Sequence, residues 1–593
     1  MLNREIISAD LCVVGGGLAG MCAAIAAARN GAKVVLMHER PVLGGNASSE
    51  IRMWICGSRG ENNRETGIAE EIALENYYRN PTKNYYIWDT VLYDFVIREK
   101  NITLLLNCTC MDAQIQKGDF GCGRDIKITS VTGYQMTTQM FYEVRCTNYA
   151  DCSGDSILAP LTGAQFRMGR ESADEFGENT HVKEPDDLTM GMSCLIQGRE
   201  TQRPVKFTPP DWSTPLTADS FQDRNPDIYN TSENYWYLEL GGNRDTITDT
   251  EEIARKLIPL AIGTWDYIKN SGNFQADNWE LDFLGFLPGK RESRRMVGEY
   301  IITERDISEN RQFEDTVAYG GWPLDDHFPD GFYHKGKPNT NFFTPAPYCI
   351  PYRSMYSKNV SNLFFAGRNI SMTHMAMSSI RVMMTCAVMG QAIGTAAAIA
   401  AEYNLTPHEV YLQKLALLQN RLLDSDCFIP NRKRQISPLC KETDLINGDD
   451  SLKNGEDRPH RIYGNARCGV KIKNGSPLTY EFSKLEAVST VHITFDSDLN
   501  RKTLPGTQCE QQHSMRCNTL LDSPQFYVPQ TLCKGFILEA MTENGPVILY
   551  RTEKNLNRAY CIPIDQKISR LRLTPLSNWG GSDTTTIFSF DFR

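Results

Sequence analysis

The residues with the clearest chemical meaning lie near the N-terminus, where three glycines have the spacing G-x-G-x-x-G: Gly15, Gly17 and Gly20. An apolar run at 11–14 precedes them and a small-residue segment at 21–28 follows, which predicts a tight turn between a strand and a helix. Such a turn lets the backbone approach a pyrophosphate at the helix N-terminus. Glu39 follows a second apolar run at about the interval expected for the acid that binds a ribose hydroxyl. The stretch therefore predicts a dinucleotide-binding site.

Two other stretches carry residues suited to binding. The loop 41–50 contains Gly44 and Gly45, which remove side chains where a large group must lie close; the alternative is a plain surface turn. Four cations stand nearly together in the segment 288–300: Lys290, Arg291, Arg294 and Arg295. Such a run is either a solvated face or a segment that faces a substrate or cofactor.

The elements that position these residues belong to a chain of several domains. A length of 593 residues predicts two to four domains. Proline, aspartate, asparagine and aromatic residues break the apolar periodicity at 156–340, which predicts a mixed α+β substrate or cap domain. The polar stretch 431–456 predicts a linker, and the alternating strands at 457–593 predict an all-β sandwich. The fold class is therefore α/β, with a Rossmann-like nucleotide-binding domain, followed by the sandwich.

Composition excludes several classes of function. The net charge of −10 argues against a partner that is nucleic acid. The polar opening at 1–10 lacks a signal peptide, and Thr385, Gln391 and Thr395 interrupt the apolar segment 381–401, so we expect no membrane span and a cytoplasmic location. A periplasmic or exported location is the alternative if a leader has been removed. None of the 18 cysteines forms C-x-x-C, so no metal or iron–sulfur centre is expected.

Four separated motifs together resemble one family. They are the glycine spacing with Glu39, the run Gly44-Gly45-Asn46-Ala47-Ser48, the run 151–155, and Ala366-Gly367-Arg368 continuing into 379–383. In this order they resemble the FAD-dependent oxidoreductases, which have the glutathione-reductase type of FAD domain. The resemblance covers roughly 6–425. It implies FAD as cofactor and one FAD domain built from 1–155 and 341–430, with 156–340 inserted.

The resemblance also implies contacts with FAD, residue by residue. Gly15, Gly17 and Gly20 would face the pyrophosphate, Glu39 the ribose and Arg40 the adenine, and the Cys110 backbone would meet the adenine edge. The remaining implied contacts lie along the ribityl chain and the flavin ring: Gly44, Gly45, Asn46, Ser48, Asp155, Gly367, Arg368 and Met383. At the flavin, backbone N–H groups and a helix dipole would favour the anionic reduced form.

Two related patterns are incomplete in this sequence. The family is similar to the flavoprotein subunit of heterodisulfide reductase, but the iron–sulfur motifs of that subunit are missing. A second G-x-G-x-x-G is also missing, so a stably bound NAD(P)H domain is not expected. The strand pattern of the C-terminal region resembles galactose-binding, discoidin-like modules, which makes carbohydrate a candidate ligand.

A flavin enzyme that removes a hydride from an alcohol needs a base for the hydroxyl proton. His374, one of nine histidines, lies between two of the implied FAD-contacting stretches and is the predicted general base; the alternative is a structural histidine. Tyr300 and His327 come next. Three arginines are predicted to bind an anionic substrate or stabilise an oxyanion, and Arg381 alternatively serves the flavin alone: Arg294, Arg295 and Arg381.

These residues lead to three hypotheses about function. The first is an FAD-dependent oxidoreductase that transfers a hydride between flavin and a small hydroxyl-bearing substrate, with a sugar derivative as a candidate and an unidentified electron acceptor. The second is a lyase, isomerase or hydrolase on a glycoside in which flavin is oxidised and reduced within one turnover. The third is a glycan-binding protein with a structural flavin domain. A flavin-dependent RNA-modifying enzyme is a remote fourth, which the charge disfavours.

Overall fold

The computed structural model describes residues 2–179, 182–233, 235–460, 469–501, 514–516 and 519–593. The chain forms two compact units. The first contains Met1–Ser58, Thr82–Leu415 and His513–Gln525, and the second contains Arg59–Pro81, Ala416–Gln512 and Phe526–Arg593. Each unit therefore contains chain segments that are far apart in sequence.

A largely parallel sheet forms the base of the first unit. Its strands are β1 (Asn3–Val14), β2 (Val34–Met37), β3 (Ile102–Leu105), β4 (Cys108–Lys117), β5 (Ile126–Gln135) and β6 (Met140–Asp151). The order is β3-β2-β1-β6, with parallel pairing throughout. β4, β5 and β6 form an antiparallel meander. The last four residues of β1 and all of β2 are buried, which explains why these strands are continuously apolar.

Helices follow the first strands and continue through an irregular inserted region; the helix Ile68–Arg79 belongs to the second unit and the others to the first. The helices up to the end of that region are α1 (Leu18–Arg29), α2 (Ile68–Arg79), α3 (Tyr85–Ile97), α4 (Leu158–Thr162), α5 (Ala173–Phe176), α6 (Ile228–Glu233), α7 (Thr250–Asn270) and α8 (Glu304–Ser308). Buried apolar residues of α7, Leu257 and Trp265 among them, form a core with strands of the insertion. The predicted α+β character of 156–340 is confirmed.

The insertion is built from short antiparallel pairs. Its strands are β7 (Phe166–Arg167), β8 (Met192–Ser193), β9 (Ile196–Glu200), β10 (Glu239–Leu240), β11 (Trp279–Leu284), β12 (Gly289–Lys290), β13 (Arg295–Met296), β14 (Thr316–Gly320), β15 (Leu324–His327), β16 (Asn339–Phe342) and β17 (Tyr348–Pro351). β8 lies between β10 and β12, and β15 pairs with β16. These pairs bring several charged residues to one region.

The chain then returns to the parallel sheet. β18 (Leu363–Phe365) pairs with β6, and α9 (His374–Ile380), α10 (Met383–Tyr403) and α11 (Pro407–Asp424) follow. α10 is long and apolar enough to cross a membrane by length and composition, but it is almost completely buried within the protein. A Cβ at Gly390 would lie 2.0 Å from the carbonyl oxygen of Ala19. The glycines of α10 thus allow close contact with helix α1.

The described residues of the second unit include a seven-stranded sheet with one short helix before it. Its elements are α12 (Pro438–Glu442), β19 (Leu445–Ile446), β20 (Val470–Lys473), β21 (Leu478–Phe495), β22 (Cys533–Thr542), β23 (Gly545–Thr552), β24 (Ala559–Asn578) and β25 (Thr584–Phe592). β21 and β24 are long strands whose mutual pairing is interrupted between Glu481 and Glu486. On the two sides of this break the strands pair with different neighbours. The ring centroids of Phe536 in β22 and Phe495 in β21 lie 5.0 Å apart. A bend of this kind lets one sheet fold over a shared core.

Three details differ from the sequence-based boundaries. Segment 431–456 carries α12 and β19, and β19 pairs with β21, so the described chain there is part of the sheet region instead of a free linker. Helix α2 belongs to the second unit, and 513–525 belongs to the first. Parts of the predicted sandwich at 461–468, 502–513 and 517–518 lie outside the described residues. Local composition identifies polar stretches, but it carries no information about long-range pairing.

Candidate active site

The turn between β1 and α1 has the geometry that the glycine spacing predicts. Gly15 has φ +105°, and a Cβ there would lie 2.3 Å from the Cys152 carbonyl oxygen. A Cβ at Gly20 would lie 1.8 Å from the carbonyl oxygen of Gly15. Gly17 is the N-cap of α1 and offers no side-chain acceptor to the first-turn N–H groups. These N–H groups and the helix dipole form a site for an anion such as a pyrophosphate.

The second glycine loop lies directly against this turn. The Gly44 N–H donates to the Gly16 carbonyl at 2.8 Å, and both Gly44 and Gly45 have positive φ. Ser48, at the end of the loop, is fully buried, and its hydroxyl has no hydrogen-bond partner among the described residues. A buried hydroxyl of this kind requires a partner, which a ligand hydroxyl or carbonyl group would provide.

The residues expected at the adenosine end lie after β2 and on β4. Nδ1 of His38 accepts a hydrogen bond from the Gly16 N–H at 3.0 Å, which ties this region to the glycine turn. Glu39 keeps 47% of its side chain exposed and is accessible to a ribose. The Arg40 guanidinium lies 3.4 Å from Glu50. Cys110 is buried on β4, two residues after Cys108, whose N–H donates to the His38 carbonyl.

Asp155 connects the strand ends of the two sheet segments with the insertion. One oxygen lies 2.7 Å from Arg368 and the other 2.8 Å from Lys290. Burial opposes ionisation of this carboxyl, but Arg368 and Lys290 outweigh it and lower its pKa to about 2. The Lys290 carbonyl in turn accepts from the Asn46 side chain at 2.9 Å. Asp155 is therefore a fixed anion beside the second glycine loop.

These features fit FAD on structural grounds. The first turn of α1 lacks a side-chain cap, the Ser48 hydroxyl lacks a partner, and Nε of Arg368 is buried without one among the described residues. Gly367 has φ +119°, which keeps the chain close to the turn without a side chain. Met383 begins α10, whose N-cap also lacks a side-chain acceptor. A long cofactor with phosphates, hydroxyls and a polar ring satisfies these groups.

His374 occupies a different environment from the one that a general base requires. Its Nδ1 lies 2.9 Å from Glu292 and its Nε2 lies 3.0 Å from Asp326, so both ring nitrogens donate to carboxylates. Burial opposes the charge, but the two carboxylates prevail and raise the pKa of His374 to about 10. An imidazolium with both N–H groups in use has no lone pair for a substrate proton. The geometry contradicts the predicted role of His374 as base.

Arg295 and Tyr300, two further candidates from the sequence, also form hydrogen bonds within the protein. Arg295 is fully buried, and each of its three nitrogens already donates to Glu171, Glu292 or the carbonyls of Gly169 and Met372. Arg294 extends over the ring of Phe166, which is 43% exposed. The Tyr300 hydroxyl donates to Asp306 at 2.9 Å. The contacts of Arg295 disfavour a direct contact with a substrate, whereas the role of Arg294 stays a prediction.

Arg381 belongs to a second cluster, which the sequence identified only in part. We call the following residues the β15 cluster: Arg381, Asp325, His327, Glu239 and Arg291. Arg381 Nη2 lies 3.3 Å from Asp325, His327 Nδ1 lies 2.7 Å from Glu239, and Arg291 lies 3.4 Å from Glu239. The run Asp325-Asp326-His327 on one strand was a signal that the sequence offered. Glu239 lies 88 residues from His327, and nothing local relates the two.

The sequence model of the family described as FAD dependent oxidoreductase matches residues 10–422. No curated protein matches the chain. Among solved structures, the chain is similar to a variant of quinol fumarate reductase FrdA from E. coli, with 12% identity, 71% of this chain and 75% of that chain covered, and a TM-score of 0.28.

A geranylgeranyl bacteriochlorophyll reductase-like protein from Thermoplasma acidophilum is also similar, with 13% identity, 71% and 86% coverage, and a TM-score of 0.30. The family 32 carbohydrate-binding module of Streptococcus pneumoniae EndoD has 11% identity over 26% of this chain and 99% of that chain, with a TM-score of 0.19. Because these TM-scores are low, the family assignment rests on the family model alone.

Proposed function

The chain belongs to the family of FAD-dependent oxidoreductases, and from this we propose that it oxidises a neutral, hydroxyl-bearing small molecule, with a sugar derivative as the leading candidate. The observation that carries the proposal is the charge balance of the β15 cluster. Arg381 is paired with Asp325, and Arg291 is paired with Glu239. The cluster offers both donors and acceptors, as a molecule with several hydroxyl groups requires.

The balance of charge disfavours an anionic substrate. The nearby cations outside the cluster are paired as well: Lys290 and Arg368 bind Asp155, and Arg295 binds Glu171 and Glu292. Lys290 and Arg368 share the one carboxylate of Asp155, so the excess positive charge lies there, and a carboxylate brought to the β15 cluster would meet only arginines that Asp325 and Glu239 already bind. Burying an unpaired charge costs several kcal/mol, whereas a hydroxyl costs much less once it is hydrogen-bonded.

Two polar atoms in the cluster are available to such a hydroxyl. Oε1 of Glu239 and Nε of Arg381 are buried, and neither has a hydrogen-bond partner among the described residues. One accepts and the other donates, so a hydroxylated ligand satisfies both. The ring of Trp236 lies 5.0 Å from the His327 ring and is partly exposed, which offers an apolar face for the carbon skeleton.

The cluster is also tied to the segments that we expect to hold the cofactor. Arg381 is the C-cap of α9, two residues before Met383 begins α10. Bound FAD supplies the hydride chemistry. The protein supplies orientation through Glu239, and Arg381 stabilises negative charge that develops on the substrate oxygen.

The test is anaerobic reduction of the purified FAD-bound protein, which is measured as the loss of flavin absorbance. Probes are neutral sugars and polyols, the matching sugar acids, and dithiols. We expect reduction by at least one neutral sugar, and a rate at least about tenfold lower with its acid, an estimate that corresponds to about 1.4 kcal/mol. Faster reduction by acids or dithiols contradicts the proposal, as does turnover without net consumption of an electron acceptor.

A further inference from the structure

Two histidines lie at strand β15, His327 on the strand itself and His374 at the start of α9, and their rings are held in different ways. Both ring nitrogens of His374 donate hydrogen bonds, one to Glu292 and the other to Asp326. The ring of His327 has one close hydrogen bond, between Nδ1 and Oε2 of Glu239 at 2.7 Å. Its Nε2 faces a second carboxylate, Asp325, in an ion pair of 3.5 Å, which is longer than a hydrogen bond of good geometry and leaves this nitrogen less tightly bound than either nitrogen of His374.

We infer that His327, oriented by Glu239, accepts the proton of the substrate hydroxyl. Because Glu239 accepts the Nδ1 hydrogen, the neutral form of His327 carries its lone pair on Nε2. A carboxylate that fixes the tautomer of a histidine in this way leaves the other nitrogen ready for proton transfer. This inference rests on the proposed function, to which it adds the residue that performs the proton step.

The charges around His327 suit this role. Burial opposes ionisation of Glu239, but Arg291 and His327 outweigh it and lower its pKa to about 2, so it remains a carboxylate. That carboxylate stabilises the imidazolium that forms when His327 takes up a proton. Asp325 and the Arg381 guanidinium face the other side of the ring, and the neighbouring Asp326 is held by His374.

The proton balance is simple. The substrate O–H bond breaks, its electron pair stays on oxygen to form the carbonyl, and the proton bonds to Nε2 of His327. The hydrogen on carbon leaves as the hydride that the established FAD chemistry consumes.

The decisive experiment compares variants in anaerobic flavin reduction by the best neutral sugar. His327→Gln should retain FAD and slow reduction at least about a hundredfold, the lower end of the usual contribution of a general base. Glu239→Gln should shift the acidic limb of the rate–pH profile to lower pH, because loss of the carboxylate disfavours the imidazolium. His408→Gln is the matched control, since His408 also pairs with a glutamate, Glu299, at 2.8 Å outside the cluster; it should keep the wild-type rate.

A second readout does not depend on turnover. Nitrogen-15 NMR of the histidine rings in the wild-type protein should show both nitrogens of His374 protonated at pH 8 and the neutral ring of His327 protonated on Nδ1. A neutral His374 at pH 8, a His327 ring protonated on Nε2, or a His327→Gln rate within threefold of wild type overturns the inference. If no neutral sugar reduces the wild-type flavin, the proposed function fails instead, and the NMR result still decides the state of the two rings.

Discussion

At the scale of single residues, protonation depends on partners that local sequence does not reveal. In the sequence, His374 has the best position for a general base, because it lies between two stretches that are implied to contact FAD. Glu292 lies 82 residues before it and Asp326 lies 48 residues before it, and together they fix it as an imidazolium. The buried histidine therefore contributes to stability as a charged group.

This charge predicts a pH dependence of stability. The pKa of His374 is raised to about 10 from an ordinary value near 6.5, so its contribution is complete below about pH 6.5 and is lost as the pH rises toward 10. We expect the free energy of unfolding, measured with urea, to fall over this range. His374→Gln should flatten the fall, because the titrating group is gone.

The control for this measurement is His334→Gln. The ring of His334 stacks on Phe328 at 3.8 Å, and its replacement leaves the contacts of His374 in place. The control should keep the wild-type pH dependence. An identical slope in His374→Gln and wild type would show that His374 does not carry the effect.

At the scale of elements, the contact between α1 and α10 positions the phosphate turn. Cβ atoms at Gly390 and Gly394 would lie 2.0 Å and 2.1 Å from backbone carbonyl oxygens of α1. The two helices can therefore approach only because these positions lack side chains. Since α1 begins at the turn, a displaced α10 also displaces the N–H groups that we expect to bind the pyrophosphate.

We predict that Gly390→Ala is destabilising, although alanine favours a helix by about 1 kcal/mol over glycine. The added methyl group would contact rigid backbone, and overpacking of this kind costs about 1–3 kcal/mol or more. Thermal unfolding should show a lower Tm, and the purified protein should contain less FAD. Ala401→Ser, at the partly exposed end of α10, is the control and should change neither. A Gly390→Ala protein that is more stable than wild type would contradict the close packing.

At the scale of the whole molecule, the two units are interleaved along the chain. Met515 is fully buried in the first unit, although it lies in sequence between two strands of the second. Leu521 also belongs to the first unit, where its N–H donates to Glu200 at 2.9 Å. Residues 59–81 are the reciprocal case, because they belong to the second unit.

A protein cut after residue 430 should therefore fail to form a stable FAD-binding unit. It lacks Met515 and its neighbours, and its residues 59–81 lack the rest of their unit. We expect little soluble 1–430 with bound FAD, measured by flavin absorbance after purification. Co-expression of 1–430 with 431–593 is the control and should restore FAD content. Full FAD occupancy in 1–430 alone would show that the first unit does not need the later residues.

The sequence alone predicted a dinucleotide-binding turn and the parallel strands around it, because a glycine spacing, an apolar strand and an acid at a fixed interval are local features. The resemblance of four separated motifs added the family and FAD, and the family model matches. The contacts of Asp155, Arg368 and the second glycine loop with the cofactor stay predictions. Only the tertiary structure decided which histidine has close hydrogen bonds at both nitrogens, which arginines are already paired, and how the segments divide between units. These properties depend on residues such as Glu239 and Glu292, which approach their partners only after strands far apart in the chain have paired.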